Sequence, residues 1–316
     1  MTSARRIDFH FHLIPKFYRD AVYEAGTGPQ IGRYPDWSPE QALEVMDAHA
    51  IEVALTSLAQ PGVQFGDPDR ARALARRCND HAAELNARWP KRFGAFAVVP
   101  MWEMRGAVAE TGYALDQLKL QGVCLFASYG ERFLGDPHFD PLMAELDRRD
   151  AVVFVHPALH PSSRTLALPW PGFMMEYLFD TTRAAVNLVF GGTTARFPRI
   201  RFVLAHAGGL MPYFAWRLSV SPMIDARLPQ IPPDEIFARL GHFWYDTALS
   251  PTPQTTACLA GVARPERIVF GTDWPFANAR VIAEASKLYA AAAPSAGVER
   301  AAIDRGNALA LFPQFA

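Results

Sequence analysis

Short runs of β-branched and aromatic residues recur along the chain, each followed by a longer stretch with apolar positions three or four apart. The runs predict eight strands, at Arg6–His12, Val53–Leu58, Phe93–Val99, Gly122–Phe126, Val152–His156, Arg201–His206, Phe243–Asp246 and Arg267–Gly271. The clearest helical stretch is Pro68–Trp89, where Ala71, Leu74, Ala75, Cys78, Ala82 and Leu85 make one stripe and the arginines face away. Pro68 suits a first helical turn, and Trp89-Pro90 ends the element. Further helices are predicted at Pro39–Ala48, Ala107–Leu118, Pro141–Arg149, Tyr177–Arg196, Met211–Val220, Gln254–Ala260 and Ala279–Ala291. Strands alternating with helices imply a parallel sheet, and eight such units imply a closed (β/α)8 TIM barrel. Residues Pro15 to Trp37, rich in Gly, Pro and Tyr, read as a long loop inserted after strand one. No fixed-period repeat, low-complexity tract or linker divides the chain, so one domain is expected over residues 1–316.

In such a barrel the reactive side chains sit at the carboxyl ends of the strands. Strand one closes on Asp8-Phe9-His10-Phe11-His12, and a period of two turns both histidines toward the interior. Strand five ends in His156, strand six in His206 before Gly208-Gly209, and strand eight runs into Gly271-Thr272-Asp273. Five potential ligands therefore meet at one rim. A lone histidine at a strand end is commonly a hydrogen-bonded core residue. Two inward imidazoles about 7 Å apart along a strand repel if protonated and are costly to bury unpaired. A divalent cation resolves both difficulties, with His156 and Asp273 arriving from other strands. His49, His81 and His242 read as surface or helix residues, while His138 and His160 fall in loops near the rim, within reach of a substrate.

The 316 residues, half of them hydrophobic, suffice for a large core. A net charge of −1 and the lack of a long basic run leave no footprint for nucleic acid or an anionic membrane. Apolar runs such as Ala151–Val155 are too short to span a bilayer, and the opening MTSARRIDFHFHL lacks the apolar segment of a signal peptide. Cys78, Cys124 and Cys258 form neither a zinc spacing nor a disulfide framework. These features point to a soluble cytoplasmic protein.

Several motifs carry a resemblance. They are Ile7-Asp8-Phe9-His10-Phe11-His12 with Pro15, Trp37-Ser38-Pro39-Glu40 with Met46-Asp47, Val155-His156-Pro157, and His206-Ala207-Gly208-Gly209. Tyr245-Asp246-Thr247, Phe270-Gly271-Thr272-Asp273-Trp274-Pro275-Phe276 and Gly306-Asn307-Ala308 complete the series. In this order, over essentially the whole chain, they resemble the amidohydrolase superfamily, in particular the group containing aminocarboxymuconate semialdehyde decarboxylase. Pro35-Asp36-Trp37-Ser38-Pro39-Glu40 and Phe179-Asp180-Thr181-Thr182-Arg183 are similar to its 6-methylsalicylate decarboxylase-like branch.

The resemblance implies one divalent metal per chain held by His10, His12, His156 and Asp273, with His206 hydrogen-bonding the water on the metal. Zn²⁺ suits three imidazoles and a carboxylate best, and Mn²⁺ fits the same set. Of the four lysines, Lys16, Lys91, Lys119 and Lys287, none ends strand four, where a second metal would need a bridging lysine. Asp273 and His206 are the expected catalytic pair, and Arg183, Arg217 and Trp274 the expected substrate-binding residues. Arg217 matches an arginine that in related dimers reaches the partner's active site, so a homodimer is expected.

The same parts support two reactions. In one, Asp273, or the metal-bound water relayed through His206, protonates the carboxylate-bearing carbon of a small acid, aromatic or a conjugated diene, and carbon dioxide then leaves without oxidation. In the other, a metal-activated water opens a lactone or amide and Asp273 protonates the leaving group. Mouth segments carrying Phe11, Phe17, Tyr18, Trp37, Phe126, Tyr129, Trp170, Phe173, Trp244 and Trp274 suit a flat, conjugated acid, which favours decarboxylation. A barrel that only binds and has lost its chemistry is disfavoured by the complete ligand set.

Overall fold

The computed structural model describes residues 5–29, 32–166, 168–292 and 299–316. Eight strands, β1 (Arg6–His12), β2 (Ile51–Ser57), β3 (Phe93–Val98), β4 (Gly122–Phe126), β5 (Val152–His156), β6 (Arg201–Leu204), β7 (Trp244–Asp246) and β8 (Ile268–Val269), pair in parallel in chain order. The chain beyond β8 returns to β1: Phe9 N–H donates to Phe270 O at 2.8 Å, Asp273 N–H to His10 O at 2.7 Å, and His12 N–H to Trp274 O at 2.7 Å. These bonds close the barrel, and helices surround it.

The interior core is one stack of inward side chains, including Phe9, Val53, Leu55, Phe96, Cys124, Phe154, Val203, Trp244 and Val269. Its base is filled by the end of the chain. Leu311, Phe312 and Phe315 pack into the same cluster, with Phe312 stacked 5.5 Å from Phe9. A second apolar layer lies between strands and helices and takes the alternate residues, such as Val153 and Val155.

Strict alternation fails at one place that matters. Ile7 and Phe9 both face the interior, so a regular strand would turn His10 and His12 outward. The β1–β2 register shifts between Asp8 and Phe11, where three steps on β1 match two on β2. This bulge resets the phase. His10 and His12 then join Phe9 on the inside, and Phe11 goes to the outer layer.

The helix Pro68–Arg88 buries the expected stripe, and its N-terminus is capped by Asp67, which accepts from Arg70 N–H. The insert after β1 is not all loop. Lys16–Glu24 is helical and buries Tyr18 and Val22, one turn apart; Gly, Pro and Tyr crowd the stretch after it and mask the signal. Positions 30 and 31 of the insert lie outside the described residues. The helix expected over Tyr177–Arg196 is interrupted at Gly191-Gly192, where Gly192 takes a left-handed φ, and a further helix, Pro233–Leu240, precedes β7. Strand six stops at Leu204, because His206 to Gly209 all have positive φ. Among the described residues no helix is long and apolar enough to cross a membrane.

Phe312→Ala should cost about 3–5 kcal/mol, the range for a buried phenylalanine that leaves a cavity. Urea denaturation reads this directly. A loss near zero would mean that the C-terminal segment is not part of the barrel core.

Candidate metal centre

The predicted ligands meet at the carboxyl end of the barrel. His10 and His12 come from the bulged end of β1, His156 ends β5, and Asp273 follows β8. One ligand atom from each lies within 4.8 Å of all the others, and all four residues are buried. His10 Nε2 is 3.1 Å from His12 Nε2, and Asp273 Oδ1 is 3.0 Å from His12 Nε2 and 3.3 Å from His10 Nε2. His206 lies against the same group, its ring centre 4.8 Å from that of His10.

The outward bonds decide where the imidazole protons sit. His10 Nδ1 faces Asp246 Oδ2 at 2.8 Å, His12 Nδ1 faces Ser57 O at 3.2 Å, and His156 Nδ1 faces Pro157 O at 2.7 Å. His206 Nδ1 faces Ala248 O at 3.2 Å. Each partner is a carboxylate or carbonyl oxygen, which can only accept, so each Nδ1 carries the proton. Every Nε2 then presents a lone pair to the shared space, beside a carboxylate oxygen. Such a set has no internal donor. One cation among His10, His12, His156 and Asp273 satisfies their lone pairs at once, so these residues fit a metal and could hold one ion.

The electrostatics agree. Burial, then repulsion from His12 and His10, holds the His156 imidazole well below its ordinary range. His12 and His206 are lowered, again chiefly by burial. Burial also disfavours a charged His10, but Asp246 and Asp273 outweigh it and lift that group to about 10. For Asp273 burial works upward, and His10 and His12 together hold its carboxyl well below the usual range.

Two carboxylates that the sequence reading gave no role fix this arrangement. Asp246 Oδ1 accepts from His206 N–H at 2.8 Å and Ala248 N–H at 2.9 Å, while its Oδ2 holds His10. Asp8, fully buried, accepts from His10 N–H at 3.0 Å, Thr272 N–H at 3.1 Å and the Thr272 hydroxyl at 2.6 Å. It ties β1 to the turn that presents Asp273. Both were visible as carboxylates in the matched motifs; only their bonds show what they do. His206 and Asp273 have φ of 54° and 69°, left-handed values rare outside glycine.

The mouth is aromatic, though not with the expected set. Phe276 meets His12 edge-on at 5.1 Å, Phe126 meets His156 at 5.9 Å, and Tyr177 meets His156 at 6.2 Å. Tyr177 also donates its hydroxyl to Gln60 Oε1 at 3.0 Å. Phe126 was expected here; Tyr177 and Phe276 were not. Phe11, Tyr18 and Trp244 are core residues. Trp274 is buried in the outer layer, stacked on Phe11 at 4.7 Å, because the Phe11–Trp274 bridge carries both side chains away from the interior. Trp37 braces the site from behind by donating its indole N–H to His12 O. Arg183 lies partly exposed, 3.9 Å from Glu176. Arg217 is exposed on the helix Met211–Ile224 and has no ion pair among the described residues. His160 stacks on Phe133 and His138 is exposed; neither belongs to the cluster.

The chain matches the amidohydrolase family model over residues 7–314. It is 37% identical to a 6-methylsalicylic acid decarboxylase of Aspergillus aculeatus over 328 residues, covering 98% of this chain and 96% of that one. It is 25% identical to a 2-amino-3-carboxymuconate-6-semialdehyde decarboxylase of Dictyostelium discoideum over 299 residues, covering 86% of this chain and 82% of that one. Among solved structures, 2,6-dihydroxybenzoate decarboxylase from Rhizobium superposes with a TM-score of 0.79 at 26% identity, covering 100% of both chains. With the barrel, the histidine–aspartate cluster and these matches together, the chain belongs to the amidohydrolase family.

Proposed function

We propose that this protein is a metal-dependent, non-oxidative decarboxylase of an aromatic carboxylic acid, working as one barrel domain. The observation that carries the reading is Asp273, a buried carboxylate locked into a cluster of imidazole lone pairs under an aromatic mouth. The decarboxylase relatives at 37% and 34% identity, both named for 6-methylsalicylic acid, support this over lactone or amide hydrolysis and favour a 2-hydroxybenzoate.

His10, His12, His156 and Asp273 would hold the divalent ion, which supplies Lewis-acid polarisation of substrate oxygens. Zn²⁺ suits this donor set, and Mn²⁺ is the second candidate. Phe276, Phe126 and Tyr177 give a flat ring apolar walls and keep water from the reacting carbon. Asp273, ionised at rest, takes up a solvent proton that enters along His206 and delivers it to the ring carbon that bears the carboxylate. The new C–H bond forms there, the C–C bond to the carboxylate breaks, and its electron pair restores the aromatic ring as carbon dioxide leaves. His206, fixed by Asp246 and Ala248, steadies the proton on its way to Asp273.

We further propose a homodimer built on the helix Met211–Ile224. Tyr213, Trp216, Met223 and Ile224 are all exposed there, an apolar face unusual for a monomer, and Arg217 beside them has no ion pair among the described residues. That face would place Arg217 against a second copy, at or near its substrate carboxylate.

The direct assay is carbon dioxide release from 6-methylsalicylate and other 2-hydroxybenzoates. Release should stop after chelation and return with Zn²⁺ or Mn²⁺. Asp273→Asn should lower kcat about 10²–10⁴-fold with an unchanged circular-dichroism spectrum. Full activity in the metal-free protein or in Asp273→Asn would refute the mechanism. For the dimer, sedimentation of Trp216→Glu/Ile224→Glu should show a monomer where the wild type shows two copies. A wild-type monomer, or a dimer that survives both changes, would remove that interface.

A further inference from the structure

His156 donates its Nδ1 proton to Pro157 O at 2.7 Å. The N–H of the same peptide group, on Ala158, donates to Asp180 Oδ2 at 2.8 Å. A carboxylate, a peptide and an imidazole therefore stand in line, and all three residues are buried. Asp180 also accepts from the Ser128 hydroxyl, at 2.9 Å to Oδ1 and 3.1 Å to Oδ2.

We propose that Asp180 is a positioning residue for the metal centre, acting on His156 through the Pro157–Ala158 peptide. The inference rests on the metal-centre reading above. A peptide whose N–H is drawn toward a carboxylate has a more electron-rich carbonyl, because hydrogen bonds in series polarise one another. That carbonyl grips the His156 Nδ1 proton more firmly, fixes the tautomer and makes Nε2 a better donor. Asp246 does the same for His10 by direct contact. Asp180 does it at one remove, since Pro157 occupies the position next to the ring.

The placement explains a costly feature. Burial pushes the Asp180 carboxyl up to about 6, against the pull of Ala158 N–H and Ser128. The residue sits on the helix Glu176–Phe190, and Ser128 on the short hairpin after β4. One carboxylate thus joins that helix, the hairpin and the loop leaving β5. A purely structural cross-link needs only the hydrogen bonds; a role in tuning His156 needs the charge.

Asp180→Asn separates the two, since the amide oxygen can still accept from Ala158 N–H. Zn²⁺ affinity is measured by competition with a chromophoric chelator on the full-length wild type, Asp180→Asn and Asp180→Ala, alongside the melting temperature of each metal-free protein. Asp180→Asn should bind Zn²⁺ about tenfold more weakly with a near-wild-type metal-free melt, and Asp180→Ala up to about a hundredfold more weakly. Wild-type affinity in both variants would overturn the proposal. So would a loss confined to Asp180→Ala, which would assign the residue to packing. A wild-type protein without a tight Zn²⁺ site would instead overturn the metal centre itself, and this proposal with it.

Discussion

Burying several lone pairs against one another is the constraint on which the rest of this structure depends. The Nε2 atoms of His10 and His12 and Asp273 Oδ1 lie 3.0 to 3.3 Å apart, and neutral imidazoles put no proton donor between them. An unsatisfied buried polar group costs about 1–3 kcal/mol, and here the groups also repel. The surrounding protein holds them there all the same. Asp246, Ser57, Pro157 and Ala248 occupy each Nδ1, and Asp8 clamps the backbone at His10 and at Thr272, next to Asp273. A fold that spends buried carboxylates and two left-handed non-glycine residues on one cluster suits the cation that the cluster could hold.

The barrel divides its work along its axis. Its lower half is packed hydrocarbon, with phenylalanines from β1, β3 and β5 meeting the C-terminal plug. The bulge in β1 marks the change of regime, since the same strand supplies Phe9 to the core and His10 and His12 to the site. Above the cluster the mouth is aromatic, with Phe276, Phe126 and Tyr177 set edge-on to the imidazoles. In the proposed function, a cation below and apolar walls above would suit a planar acid anion.

Much of this was legible in the sequence, for physical reasons. Eight short apolar runs separated by amphipathic stretches leave few alternatives to a parallel barrel, and histidines ending such runs must converge at one rim. The matched motifs then gave the family, which the comparisons bear out. The bulge was not legible, because Phe9 and His10 obey no alternation until the register with β2 is known. The helix Lys16–Glu24 was hidden because only two of its residues, Tyr18 and Val22, are buried, too few for a stripe. Trp274 was expected at the mouth from its place beside Asp273, yet the backbone turn sends it outward and leaves Phe276 against His12. Asp246 and Asp180 act through hydrogen bonds to residues far away in sequence, a signal that no local pattern carries.

The central claim is that three imidazole Nε2 atoms and one carboxylate share a single divalent ion. X-ray absorption at the metal edge of the purified, Zn²⁺-loaded protein tests it most directly. One ion per chain is expected, with a mixed nitrogen and oxygen shell and the outer-shell scattering of three imidazole rings. A hydrated ion without imidazole scattering, or a chain that retains no metal, would contradict it.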